Sequence, residues 1–268
     1  MRIAIEHVTR YRYSETAHYS VQSLRLTPSA FDGQKVLDWS LTCIPEGSIT
    51  PTTDGFGNIV HLMTVEGPHR DVDIIARGTV EITDRAGVVK GLAEHVPLRV
   101  FLRRTDLTRP GPGIHALARP IGPDGTLAWL HDLMARIRAK VDYETGVTDA
   151  LTKAEEALAA GHGVCQDHAH IFISACREAA IPARYVTGYL LTDVANEDAH
   201  HAWAEAWIDG LGWVGFDVAN TVCPTDRYVR LAAALDASYA APIRGSRRGG
   251  GQERLEVEVR VQEQNAQQ

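Results

Sequence analysis

The sequence has few cysteines, no long apolar run and no excess of positive charge. Four cysteines in 268 residues, without regular spacing, exclude a disulfide framework and favour reduced thiols. Charges interrupt the apolar residues of the N-terminal stretch, so we expect neither a signal peptide nor a membrane span, and a cytoplasmic location. A net charge of -7 with no basic stripe argues against nucleic acid or a membrane as a partner.

Metal-binding patterns are also missing. No acidic loop of the Asp-x-Asp-x-Asp-Gly kind is present, which disfavours a calcium requirement. His162, Cys165, His168 and His170 lie close together, but the second ligand pair that a zinc site normally needs is absent. We therefore expect no metal and no cofactor. The hydrophobic share of 44% and charged share of 23% are typical of a globular protein with room for two modest domains.

The most informative stretch is Gly-His-Gly-Val-Cys-Gln-Asp-His-Ala-His, residues 161–170, which leads into an apolar run ending at Pro182. The glycines loosen the backbone and the proline ends a helix, so the spacing predicts a helix that begins near Cys165. The unpaired N–H groups and the dipole at a helix start stabilise a thiolate. Cys165 is therefore a candidate nucleophile, and its backbone N–H a candidate oxyanion donor. The alternative is a small buried hydrophobic residue. Asp167 is expected to cap this helix.

Two later segments offer partners for that cysteine. Residues 201–208, His-Ala-Trp-Ala-Glu-Ala-Trp-Ile, alternate like a strand, and residues 212–217, Gly-Trp-Val-Gly-Phe-Asp, form a second strand ending in a carboxylate. His201 is the candidate base, and Asp217 would accept a hydrogen bond from its ring and fix the tautomer. His200 should point to the opposite face, although a swap between the two histidines stays open.

Three nearby side chains have less certain roles. Trp203 and Trp213 are possible cleft-wall residues, with core packing as the alternative for each. Glu205 shares the strand face of His201 and is expected to form an ion pair.

The three blocks Gly-Val-Cys-Gln-Asp-His-Ala-His, His-Ala-Trp-Ala-Glu-Ala-Trp and Gly-Trp-Val-Gly-Phe-Asp resemble the transglutaminase-like superfamily, in its bacterial cysteine-peptidase-like branch. That resemblance implies a papain-like fold and a Cys-His-Asp triad matching Cys165, His201 and Asp217. It also extends to the bacterial transglutaminase-like N-terminal domain. One difference is that Asp-Val-Ala-Asn, residues 217–220, stands where the family usually reads Asp-Pro-Thr-Asn, so the turn lacks its proline and hydroxyl.

The predicted fold is α+β. Residues 1–95 would form a β-rich, sandwich-like N-terminal domain, residues 96–125 a linker or wrapping segment, and residues 126–268 a papain-like catalytic domain with an antiparallel sheet. The further predicted elements are helices over 126–141 and 151–160 (capped by Thr152), a strand over 183–191, a polar loop over 192–200, a partly helical stretch over 226–239 and a strand over 255–261.

The expected function is a thiol-dependent amide or peptide-bond hydrolase that works through a thioester acyl-enzyme. One alternative is a protein-glutamine transglutaminase, in which an amine accepts the acyl group. Another, from a different class, is a non-catalytic peptide- or protein-binding module on the same fold. The expected substrate is a peptide or an amide-bearing small molecule. The second oxyanion donor, the oligomeric state and the role of the N-terminal domain stay open.

Overall fold

Two antiparallel sheets, one of six strands and one of five, organise the computed structural model. The structure describes residues 1–93, 95–118, 120–122, 125–192 and 199–264, so most of the predicted loop over 192–200 lies outside the described residues. The strands are β1 (Arg2–Leu24), β2 (Gln34–Ile44), β3 (Ser48–Thr53), β4 (Ile59–Ile82), β5 (Val88–Val89), β6 (Asp142–Tyr143), β7 (His162–Gly163), β8 (Ala183–Leu190), β9 (His200–Ile208), β10 (Gly212–Phe216), β11 (Tyr228–Ala234), β12 (Ile243–Gly249) and β13 (Glu253–Glu263). The helices are α1 (Pro112–Leu117), α2 (Gly125–Arg138), α3 (Ala154–Ala160), α4 (Cys165–Glu178) and α5 (Ala237–Ala240), with a 3-10 helix over Leu98–Leu102.

The six-stranded sheet is built on two very long strands, β1 and β4, which pair with each other along most of their length. Their inward side chains, such as Ile3 and Ile5, are buried, while charges on the other face pair across strands, as Arg12 does with Asp71 at 3.3 Å. β2 and β3 both pair with β4. The N-terminal region is thus β-rich as predicted. Its strands form a single sheet rather than the two sheets of a sandwich, because the two long strands run through both halves.

The C-terminal strands belong to this same sheet. β13 pairs with the first half of β1 and β12 with its second half. The prediction that residues 126–268 form one catalytic domain is therefore wrong for these two strands. The physical reason is that the outer edge of β1 would otherwise expose a long row of unpaired backbone groups. Val259 and Val261 of β13 also pack against the core that contains Ile3.

The five-stranded sheet, in the order β11-β8-β9-β10-β5, carries α4 on one face. Small side chains allow this close packing: Ala202, Ala204 and Ala206 share a core with Phe172 of α4. Every second residue of β9 points to the opposite face, and His201 begins that row. Within the predicted wrapping segment, α1 packs against this unit through the buried side chains of Ile114 and Leu117.

Two local predictions were wrong. α3 is capped at Lys153 rather than Thr152, because Glu156 accepts a hydrogen bond from the Lys153 backbone N–H at 3.1 Å. The alanine-rich stretch predicted to be partly helical forms β11, followed only by the short α5. Pairing with β8 overrides its local helix propensity. No helix within the described ranges is long and apolar enough to cross a membrane.

A buried charge cluster lies on the sheet face opposite α4. Glu205, whose side chain is wholly buried, contacts Arg184 Nε at 2.5 Å and Arg230 Nε at 2.9 Å. Burial alone would raise the pKa of Glu205, but the two guanidinium groups lower it to about 2. The Arg184 guanidinium also lies 4.0 Å from the ring centroid of Trp213. The expected ion pair of Glu205 is thus present with two arginines, Arg184 on the adjacent β8 and Arg230 on β11 beyond it.

We expect Glu205→Gln to lower the free energy of unfolding by about 3–5 kcal/mol, because two buried guanidinium groups lose their counter-charge. Chemical denaturation measures this loss. The matched control is Glu81→Gln, which removes a surface pair with Arg2 and should leave the free energy of unfolding nearly unchanged. Equal, small losses for the two variants would contradict this account of the cluster.

Candidate active site

Cys165 is the first residue of α4, as predicted. The side chain of Asp167 fastens the helix start, since its Oδ2 accepts the backbone N–H of Val164 at 2.8 Å and the hydroxyl of Thr148 at 2.7 Å. The prediction that Asp167 caps this helix is confirmed. A glycine is needed at Gly163, because a Cβ there would lie 2.8 Å from the Asp167 side chain. Cys165 is intermediate in burial, neither fully buried nor fully exposed.

The neighbouring histidines have structural partners. The ring nitrogens of His168 face the carbonyl oxygens of Val164 at 2.9 Å and Val141 at 3.0 Å, which ties α4 to the segment before it. His170 Nε2 accepts the backbone N–H of Ala237 at 3.1 Å. Across the described ranges, no group of three or more His, Cys, Asp or Glu side chains is arranged to hold a metal ion.

His201 is brought to Cys165. Its Nε2 donates to Asp217 Oδ2 at 2.7 Å, which leaves the other ring nitrogen for the hydrogen bond with the Cys165 side chain. His200 lies on the other side of the strand, where its Nε2 contacts the Thr187 hydroxyl at 3.0 Å. Strand alternation therefore assigns the two histidines to different surroundings, and only His201 contacts the cysteine and the aspartate.

Asp217 follows β10 and is wholly buried. Its Oδ2 accepts three hydrogen bonds of 2.7 Å, from His201 Nε2, Asn220 Nδ2 and the Tyr228 hydroxyl. Asn220 and Tyr228 are site residues that were not predicted from the sequence. The Asp-x-x-Asn spacing was a usable signal for Asn220, because a short turn brings the two side chains together. Tyr228 gave no local signal.

The turn after Asp217 is fixed without the proline that the family usually has. The backbone of Asp217 exchanges two hydrogen bonds with that of Val222, at 2.8 and 3.1 Å. Thr221 adopts a left-handed conformation with a φ of 58°, and the side-chain amide of Asn220 folds back onto the carboxylate. Hydrogen bonds thus supply the rigidity that the missing proline would have given.

The electrostatics of the site favour charge on both His201 and Asp217. Burial alone would lower the pKa of His201, but the hydrogen bonds to Asp217 and Cys165 raise it to about 10. Burial alone would raise the pKa of Asp217, but the hydrogen bonds from His201, Asn220 and Tyr228 lower it. The arrangement can therefore hold an imidazolium between a carboxylate and a sulfur at neutral pH.

The two tryptophans have different positions. The Trp203 ring stacks with the His201 ring at a centroid distance of 6.4 Å and contacts the Tyr228 ring edge-on at 5.5 Å. Trp203 therefore packs against the imidazole. Trp213 is 2% exposed and packs in a core cluster with Phe101. Cleft wall was therefore the wrong prediction for Trp213, since inward packing against the 3-10 helix removes it from any open surface. The backbone N–H of Cys165 lies in the first helical turn, where no carbonyl of the helix can accept it.

Comparison with known proteins finds two family matches along the chain. Residues 3–81 match the bacterial transglutaminase-like N-terminal region, and residues 115–218 match the transglutaminase-like superfamily. An uncharacterized protein of Mycobacterium leprae is 28% identical over 275 residues, covering 97% of this chain and 98% of its own length. An uncharacterized protein of Mycobacterium tuberculosis is 30% identical over 277 residues, covering 91% of this chain and 87% of its own length.

A solved structure has the same fold. The crystal structure of a candidate cysteine protease from Cytophaga hutchinsonii matches with a TM-score of 0.77 at 22% identity, covering 100% of this chain and 92% of that chain. The prediction of a papain-like α+β core with a β-rich N-terminal region is confirmed. On the two family matches and the relative of 30% identity, this chain belongs to the transglutaminase-like superfamily.

Proposed function

We propose that this protein is a thiol-dependent amide or peptide-bond hydrolase in which Cys165 is the nucleophile, His201 the general base and acid, and Asp217 the orienting carboxylate. The observation that carries this proposal is the continuous contact from the Cys165 side chain through the His201 ring to Asp217. The position of Cys165 at a helix start supports it further, because such a site stabilises a thiolate.

The reaction begins when the thiolate of Cys165, whose proton His201 already holds, attacks the carbonyl carbon of an amide. The oxygen of the resulting tetrahedral intermediate takes the negative charge and faces the backbone N–H of Cys165. The carbon–nitrogen bond then breaks, and His201 protonates the departing amine, leaving a thioester on Cys165. Throughout these steps Asp217 holds the ring orientation and stabilises the imidazolium.

The second half of the cycle decides between hydrolysis and transfer. His201 takes a proton from water, the hydroxide attacks the thioester carbon, and the thiolate of Cys165 leaves as the acid product forms. An amine in place of water would give transamidation by the same steps. We favour water because the bacterial members that this chain resembles are mostly regarded as peptidase-like. A protein-glutamine transglutaminase is the alternative that the next experiment separates.

Incubation with a glutamine-containing peptide and a labelled primary amine tests the acyl acceptor. We expect mass spectrometry to show peptide cleavage or the deamidated acid, with no amine label on the peptide. The Cys165→Ala variant is the control and should give neither product, because no thioester can form. Incorporation of the amine beyond the amount of acid product would contradict the hydrolase and favour the transglutaminase.

Alkylation by iodoacetamide at pH 6 tests the sulfur–imidazole pair without a substrate. An ordinary thiol with a pKa of about 8.5 is roughly 0.3% thiolate at that pH. Burial raises the pKa of Cys43, Cys176 and Cys223 further. We therefore expect Cys165 to react at least about tenfold faster than any of these, as an ion-paired thiolate does.

The matched pair of variants is His201→Gln and His200→Gln. The first should abolish the reactivity of Cys165 at pH 6, because the imidazolium partner is lost. The second should leave it, since His200 contacts Thr187 on the other side of the strand. Equal labelling of Cys165 and the other cysteines, or reaction only above about pH 8.5, would refute the ion pair.

A further inference from the structure

β11 forms one edge of the five-stranded sheet, yet its outer backbone groups are not left to solvent. It pairs with β8 on its inner side, where the register shifts between the pairs Arg230–Gly188 and Ala232–Thr187. The extra residue, Leu231, makes a bulge. Because of this bulge, the backbone N–H and C=O groups of both Arg230 and Ala233 face away from β8.

Two buried amide side chains of the N-terminal region bind these backbone groups. Gln34 Oε1 accepts the N–H of Arg230 and Gln34 Nε2 donates to its C=O, each at 2.8 Å. Asn58 Oδ1 accepts the N–H of Ala233 and Asn58 Nδ2 donates to its C=O, also at 2.8 Å. Both amide residues are 2% exposed. A side-chain amide offers the same donor and acceptor as a peptide group, so each replaces one residue of a neighbouring strand.

Both amides are held by the N-terminal region itself. Gln34 Nε2 also donates to the carbonyl oxygen of Ser29 at 2.8 Å. Asn58 Nδ2 also donates to Asp54 Oδ2 at 3.0 Å, and the other oxygen of Asp54 accepts two backbone N–H groups of the same loop. Residues of the N-terminal region therefore hold the two amide side chains that hydrogen-bond to β11.

β11 carries Tyr228 two residues before Arg230. The Tyr228 hydroxyl donates to Asp217, and its ring meets the His201 ring at a centroid distance of 6.0 Å and an interplanar angle of 60°. The three side-chain donors to Asp217 converge on Oδ2, while the backbone N–H of Asn220 donates to Oδ1 at 3.3 Å, so Tyr228 helps to fix the rotation of the carboxylate towards His201. A shift of β11 would move this donor.

We propose that Gln34 and Asn58 are positioning residues for the reaction, which set the orientation of Asp217 through β11 and Tyr228. The N-terminal region is then a working part of the active site rather than a separate module. This inference rests on the proposed function, because the contact between Asp217 and His201 affects the reaction only if His201 takes part in it.

A double-mutant cycle on Gln34→Met and Tyr228→Phe tests the inference, with the rate of Cys165 alkylation at pH 6 as the readout. Each single variant should lower that rate by about 3- to 10-fold, the equivalent of one hydrogen bond that no longer orients Asp217. In the double variant the losses should not multiply, because both substitutions act on the same contact. If Gln34→Met does not fold, Asn58→Ser takes its place in the cycle, since the shorter hydroxyl cannot reach both backbone groups of Ala233 and adds no charge beside Asp54.

The control is Gln22→Met, which alters a second buried glutamine, one that lies on β1 and pairs with Gly245 of β12. It should leave the alkylation rate unchanged. Losses that multiply in the double variant, or a Gln34→Met rate equal to that of the wild type, would overturn the inference. A faster rate in Tyr228→Phe would also overturn it, because Tyr228 would then only withdraw charge from Asp217. Wild-type protein without reactivity at pH 6 would instead refute the proposed function.

Discussion

A carboxylate without access to water must find its hydrogen-bond donors inside the protein, and Asp217 imposes this constraint on the fold. Its donors come from three places in the chain: His201 at the start of β9, Asn220 in the turn after β10, and Tyr228 on β11. The sheet must therefore align β9, β10 and β11 so that these donors reach the buried charge of Asp217. The same charge stabilises an imidazolium at His201, so the hydrogen bonds that satisfy one buried group also set the charge of its neighbour.

The parts of the site that the sequence predicted depend on local signals. Glycine, cysteine and a distant proline mark the start and end of α4, and alternation in β9 separates His201 from His200. Asp217 follows from the end of a short strand. The resemblance to the family supported the grouping of the blocks that contain Cys165, His201 and Asp217 into one site. The capping of α4 by Asp167 was predicted from its position in the first turn of the helix.

The parts that the sequence did not predict depend on pairing between distant segments. β11 is rich in alanine and resembles a helix locally, but β8 and the amides of Gln34 and Asn58 make it a strand. Tyr228 could not be assigned to the site for the same reason. The C-terminal β12 and β13 join the N-terminal sheet across the whole length of the chain, and no local pattern reports a partner so far away. Likewise, no local pattern distinguished a cleft-wall position for Trp213 from its packing against Phe101 in the core.

The central claim is that Asp217 and Cys165 together keep His201 protonated at neutral pH. NMR of ring-labelled histidine, with His201 assigned by its loss in His201→Gln, measures this protonation state directly. We expect both ring nitrogens of His201 to carry protons through pH 8 and to titrate near the raised pKa of about 10. A neutral ring at pH 8 that titrates near the ordinary histidine pKa of about 6.5 would contradict the account.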